Sequence, residues 1–322
     1  MAGPANSIGG YRNKLKTTYH SVLLVEGPGD KQVFEHLKLR AIENGFNLST
    51  KLRIDAAQTL ISSSGNYPGI RQRIERVCRD LSPNDLHAPF AAFVDREFDD
   101  FSDDIEDLAL QPKVVGRYLV YSRGRSIENY FFTIETFSGA FRSLVGVSSL
   151  LDVLQKFDTV FQSALAIGCA LGLAARDHNC LGIVRDSVRL ETIEVSDTVV
   201  VDTSKLRTAV ASHLGSGAGA LIQSFQQWLQ KVVAADRHVV RWMCDGHIGY
   251  IILWHTLVQC VQLISDGNTS DVALVRGIQK DARLNACAEV WARSLSRTSE
   301  HPQRLLDMLA DDELTIVPST EA

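Results

Sequence analysis

The chain has 322 residues, 45% of them hydrophobic and 22% charged, with a formal net charge of −5. That is enough apolar material for one large packed domain or two ordinary ones, and it excludes a disordered chain. The net acidity excludes a protein that coats nucleic acid through bulk positive charge. Any such contact must come from a local patch, a metal ion or a partner subunit.

Taken in chain order, the opening MAGPANSIGGYRNKLK lacks the apolar stretch of a secretory signal, and a cytoplasmic location is expected. Ser21–Val25 (SVLLV) is a short apolar run suited to a buried strand, followed by the turn Glu26-Gly27-Pro28-Gly29. A helix running to about Gly45 puts Val33, Phe34, Leu37 and Ile42 on one face. Asp30 is either the N-cap of that helix or a further site acid. Leu52–Ala57 reads as a second strand. The next helix spaces Ile70, Ile74, Val77 and Leu81 on one side, with Arg71, Arg73, Arg76 and Arg79 on the others. Pro89–Asp95 (PFAAFVD) and Val114–Tyr121 (VVGRYLVY) complete four predicted strands. Strands alternating with helices predict an α/β domain with a mostly parallel sheet flanked by helices.

From about residue 138 helical periodicity takes over, across roughly 149–175, 204–214, 217–235, 246–265, 271–294 and 302–310, interrupted by a hairpin over 191–202. The expected division is an α/β catalytic domain over 1–137 and a mainly α-helical domain over 138–322, the latter for oligomerisation, partner or substrate contacts. The apolar runs at 150–175 and 248–264 contain Asp152, Lys156 and Asp158, and His255 and Gln259. They read as buried helices rather than membrane spans, and no membrane contact is expected. The six cysteines form no C-x-x-C pair and no zinc spacing, which suits reduced core thiols.

The chemistry-bearing residues stand at the ends of predicted strands. Glu26 follows the first. Asp95 closes the third, and Glu97, Asp99 and Asp100 come next in DREFDD. In an open parallel sheet the carboxyl ends of the strands share one edge, where ligands bind. Two carboxylates about 4 Å apart repel by about 4 kcal/mol at an effective dielectric near 20. Such a cluster therefore takes up protons or holds a cation. Oxygen ligands without cysteine or histidine favour Mg2+ or Mn2+. Ions of this kind polarise a phosphoryl oxygen and activate water. Gly27 and Gly29 let a phosphate or metal-bound group approach the backbone, and the helix start that follows offers free N–H groups to an anion. The run from Asp99 to Asp107 also fits a plain solvated acidic loop.

Three segments resemble the Toprim domain shared by topoisomerases, primases and overcoming-lysogenization-defect nucleases: SVLLVEGPGDKQVFEHL, AAFVDREFDD and RSIENYFF. The glutamate after the first strand of that family matches Glu26, and its Asp-x-Asp pair matches Asp95-Arg96-Glu97. The second acid here is glutamate, a departure that lengthens its reach. The three motifs are most similar to those of standalone Toprim-like proteins of bacterial defence, in particular the effector subunits of the PARIS anti-phage systems. This resemblance covers about residues 18–135. It implies a toxic Mg2+-dependent endonuclease acting on nucleic acid, with RNA (host transfer RNA) favoured over DNA. It further implies an ABC-type ATPase partner and an active homodimer.

Other candidates remain two-sided. Glu128 is a further acid of the site or pairs with Arg123 or Arg125. Arg123 and Arg125 meet a phosphate or form surface ion pairs. Asp245 in Cys244-Asp245-Gly246-His247 reads as an N-cap, while His247 at the same helix start is a candidate for proton transfer or substrate contact. No P-loop, no G-x-S-x-G elbow and no H-E-x-x-H is present. The alternative to an enzyme is a non-catalytic acidic subunit that docks on a basic partner such as an ATPase. A strand-passage or polymerising enzyme ranks last, because the chain lacks room for the extra domains.

Overall fold

The computed structural model describes residues 6–61, 69–98, 113–265, 269–296 and 300–310. These divide into two compact units. The first holds the described residues up to Val94, those of 113–122, and those from Ala292 onward. The second holds Asp95–Phe98 and the described residues from Arg123 to Trp291.

The first unit opens with β1 (Asn6–Ser7) and α1 (Ile8–Lys16), the latter capped by the Ser7 hydroxyl accepting from the Gly10 N–H at 3.0 Å. Then come β2 (Val22–Val25), α2 (Pro28–Glu43), β3 (Arg53–Ala56), β4 (Leu60–Ile61), α3 (Ile70–Arg79), β5 (Phe90–Val94), β6 (Val114–Val115) and β7 (Leu119–Tyr121). Five strands form one sheet in the order β3-β2-β5-β7-β6. The first four run parallel, and β6 adds an antiparallel edge. A separate two-stranded parallel pair joins β1 to β4.

Every residue of β2 and β5 is buried, as continuous apolar strands of a two-sided parallel sheet must be. Alternation sorts their side chains. Val22, Leu24, Phe90, Ala92 and Val94 pack with Tyr11, Leu15, Ile74 and Val77 of α1 and α3. Phe93 points the other way and meets Phe34 of α2 at 4.9 Å between rings.

The fourth predicted strand is corrected. Gly116 adopts φ +63 and turns the chain between β6 and β7, so VVGRYLVY forms a hairpin instead of one strand. The units also differ from the single cut expected near residue 137. The chain leaves the first unit after Val94, re-enters for β6 and β7, and returns from Ala292. Two pairings account for this. β7 extends the sheet from β5, and the C-terminal helix α13 (Gln303–Leu309) packs on β5 while Ala310 bridges Leu48.

Among its described residues the second unit is mainly helical, with one hairpin. Its elements are α4 (Ile134–Leu144), α5 (Leu150–Asp177), α6 (Leu181–Ser187), β8 (Ile193–Val195), β9 (Val199–Val201), α7 (Thr203–Leu214), α8 (Gly217–Ala234), α9 (Arg237–Met243), α10 (Gly246–Ile264), α11 (Thr269–Gly277) and most of α12 (Lys280–Arg293). The sequence predicts one helix over 271–294, and two are present there. Helices α5 and α10 are each long and apolar enough to cross a membrane by length and composition. Most of α5's apolar stretch and well over half of α10's are buried within the protein, and the two helices pack on each other. They come close at Gly168 and Gly249, where an added Cβ on Gly168 would lie 2.8 Å from the Gly249 Cα. Phe137, Phe157, Phe161, Tyr250 and Trp254 form a ring cluster around them.

Candidate functional site

In the first unit, β2 and β5 are neighbours with Leu24 opposite Ala92, so their carboxyl ends share an edge. Glu26 is the residue after β2, half-buried in a bend. Helix α2 starts at Pro28 with Gly27 as N-cap, so Asp30 sits in the first turn rather than at the cap. Its Oδ2 accepts from the Gly27 N–H at 2.9 Å. Asp30 therefore closes the Gly27-Pro28-Gly29 turn. Asp95 is the residue after β5.

The second unit assembles a compact polar network from three sequence segments. The first is Asp95–Phe98. The second is Arg123–Phe132, which includes a 3-10 turn over Ile127–Phe131. The third is the start of α10. Asp95 Oδ1 accepts from the Ile127 N–H at 3.0 Å, tying the first segment to the second. The Glu97 N–H donates to the Arg125 carbonyl at 2.8 Å, and Glu97 holds φ +54, a left-handed conformation that a side chain adopts only under constraint.

Arg125 is the centre of this network and is only 1% exposed. Its Nη1 donates to Asp245 Oδ2 at 2.7 Å and its Nη2 to Glu97 Oε2 at 3.3 Å. Its guanidinium carbon lies 3.0 Å from the Phe98 ring centroid. Neither expectation for Arg125 holds. It is neither on the surface nor open to a phosphate, because two carboxylates and a ring enclose it. Arg123 instead lies with its guanidinium over the Trp242 ring at 4.7 Å and its Nη2 3.2 Å from His238 Nε2.

Asp245 is the N-cap of α10, as its place before an apolar helix suggests. One oxygen accepts from the Ile248 N–H at 2.8 Å while the other takes Arg125. Asn129, fully buried, is a residue the sequence reading did not single out alone. Its amide donates to the carbonyls of Arg241 at 2.7 Å and Cys244 at 2.9 Å, and its oxygen accepts from the Ser126 N–H at 2.8 Å. Arg241 answers by donating to the carbonyls of Asn129 and Tyr130. Tyr130 accepts from the Arg123 N–H at 3.1 Å, and burial pushes its phenol up to about 12. The Glu-Asn-Tyr stretch is thus a clamp between the turn and α9.

Glu128 does not pair with Arg125, which is occupied by Glu97 and Asp245. Its Oε1 faces His247 Nε2 at 3.8 Å. Asp99 and the acids through Asp107 lie outside the described residues. Among the described residues no group of three or more His, Cys, Asp or Glu side chains is placed to hold a metal ion. The oxygens of Glu26, Asp95 and Glu97 suit Mg2+ or Mn2+ in chemistry, but Glu97 is turned toward Arg125. All six cysteines are free, and burial pushes Cys78, Cys169 and Cys260 up to about 12, which leaves them poor nucleophiles. No protein-family model matches the chain, and a comparison with curated proteins finds no match.

Proposed function

We propose that the protein is a divalent-cation-dependent nuclease of Toprim type, with Glu26, Asp95 and Glu97 as the acids of its centre. The observation that carries this reading is the placement of Glu26 and Asp95 directly after β2 and β5, two adjacent parallel strands. That edge is where open α/β sheets bind ligands. The three motifs of the sequence resemblance support the same reading. A bound Mg2+ or Mn2+ would supply charge to the phosphoryl oxygen and acidify a water. By the same resemblance the substrate is RNA, with transfer RNA foremost, the partner is an ABC-type ATPase and the active form is a homodimer.

A second reading is a non-catalytic acidic subunit docking on a partner ATPase. It is favoured by one specific observation, the formal net charge of −5, which suits docking on a basic face. One pair of measurements separates the two. Purified protein with Mg2+ or Mn2+ is incubated with total RNA and with plasmid DNA, alongside Glu26→Ala. The nuclease reading expects cleavage by the wild type and none by a folded Glu26→Ala. It also expects Mg2+ to raise the melting temperature, since a ligand at 100 times its Kd stabilises by about 2.7 kcal/mol. A docking subunit neither cleaves nor responds to Mg2+. Cleavage at the wild-type rate by Glu26→Ala removes the nuclease reading.

A further inference from the structure

We propose that His247 is the general acid of the reaction, protonating the leaving oxygen, with Glu128 as its positioning residue. The inference rests on the nuclease reading and adds a residue that the strand-end acids do not include.

Three observations carry it. First, His247 Nε2 stands 3.8 Å from Glu128 Oε1, and the two differ sharply in exposure. The Glu128 side chain is 13% exposed and the His247 side chain 43%. The carboxylate is held inside while the ring reaches solvent, so a protonated ring has the acid behind it at ion-pair distance, longer than a hydrogen bond. Second, the contact is built from both sides. Gly246 permits the turn to press on the start of α10, because an added Cβ there would lie 1.9 Å from Ser126 Oγ and 2.9 Å from Glu128 Oε2. Asn129 bonds the turn to the carbonyl of Cys244, and Arg125 bonds Asp245. His247 is therefore fixed by its neighbours on the same helix start. Third, the turn that carries Glu128 also donates the Ile127 N–H to Asp95 Oδ1 at 3.0 Å. One turn thus holds an acid of the proposed centre on one side and His247 on the other. The Glu128 carboxylate faces its ring.

The step balances as a hydrolysis. A water oxygen bonds to phosphorus, and the bond from phosphorus to the leaving oxygen breaks. With Nε2 facing Glu128, the proton on His247 Nδ1 passes to that oxygen, and the proton lost by the water returns to solvent, from which the imidazole is reprotonated.

The test compares two substrates of one sequence. One is an ordinary oligonucleotide diester. The other has sulfur in place of the bridging leaving oxygen, and a thiolate leaves without protonation. Both are run with Mn2+ on wild type, His247→Gln and Glu128→Gln. The expected result is a loss of about 100-fold for His247→Gln on the oxygen substrate, and near wild-type rates on the sulfur substrate. Glu128→Gln shows a smaller loss with the same rescue. Equal losses on both substrates, or no loss, overturn the assignment while leaving the nuclease reading in place. A wild type that cleaves neither substrate overturns the parent reading and this one together.

Discussion

At the residue scale, Arg125 shows how one side chain changes meaning once its surroundings are known. A buried guanidinium with two carboxylates loses more when one partner is removed than the pair contributes as a whole. Asp245→Ala leaves Arg125 with Glu97 alone, an exposed residue at 3.3 Å, and also strips the cap from α10. We expect Asp245→Ala and Arg125→Ala each to cost about 3–5 kcal/mol. We expect Arg125→Met paired with Asp245→Leu to recover much of that. All four tryptophans lie in the second unit, so fluorescence-monitored urea unfolding reports on it directly. Single variants within about 1 kcal/mol of wild type would show that this pair does not hold the segment.

His255 provides a second residue-scale prediction. Burial, with Arg283 next in effect, holds its imidazole down to about 4 from an ordinary 6.5. Between those values the unfolded chain binds more protons than the folded one. Stability from this group is therefore complete above about pH 6.5 and is lost as pH falls toward 4, by up to about 1.4 kcal/mol per pH unit. His255→Gln should flatten this part of the acid limb when unfolding midpoints are compared from pH 4 to 7. An unchanged slope assigns the acid sensitivity elsewhere.

At the scale of elements, the start of α10 is the critical junction. Its first residue must be glycine for a steric reason, since Ser126 Oγ lies where a Cβ would go. Gly246→Ala is expected to destabilise by about 1–3 kcal/mol through overpacking. Adding Ser126→Gly should restore part of the loss, because the tighter clash is with that side chain and a second, at 2.9 Å, is with Glu128 Oε2. A Gly246→Ala melt indistinguishable from wild type would mean that the turn yields freely, and the Glu128–His247 contact would lose its steric support. The sequence located this helix and its Asp245 cap, because a polar residue before a long apolar run is a local signal. It did not locate α1, α4, α6 or α9. Helix α9 has seven residues, too short for its periodicity to stand out.

At the scale of the whole molecule, the sequence alone carried the α/β character, the positions of β2, β3 and β5, the apolar helices α5 and α10, and the acids at strand ends. Each follows from residues close together in the chain: apolar runs, caps, turns and periodicity. What only the tertiary structure decided are the relations across long separations. Arg125 meets Asp245 120 positions away, and Glu128 faces His247 rather than an arginine. Asn129 serves two carbonyls from α9 and its end, and β7 and α13 return to β5, which makes the units discontinuous. The physical reason is that a strand or helix is encoded by neighbours in sequence. Which charged group finally pairs with which depends instead on where packing carries each element, and on the high cost of leaving any buried charge without a counterpart.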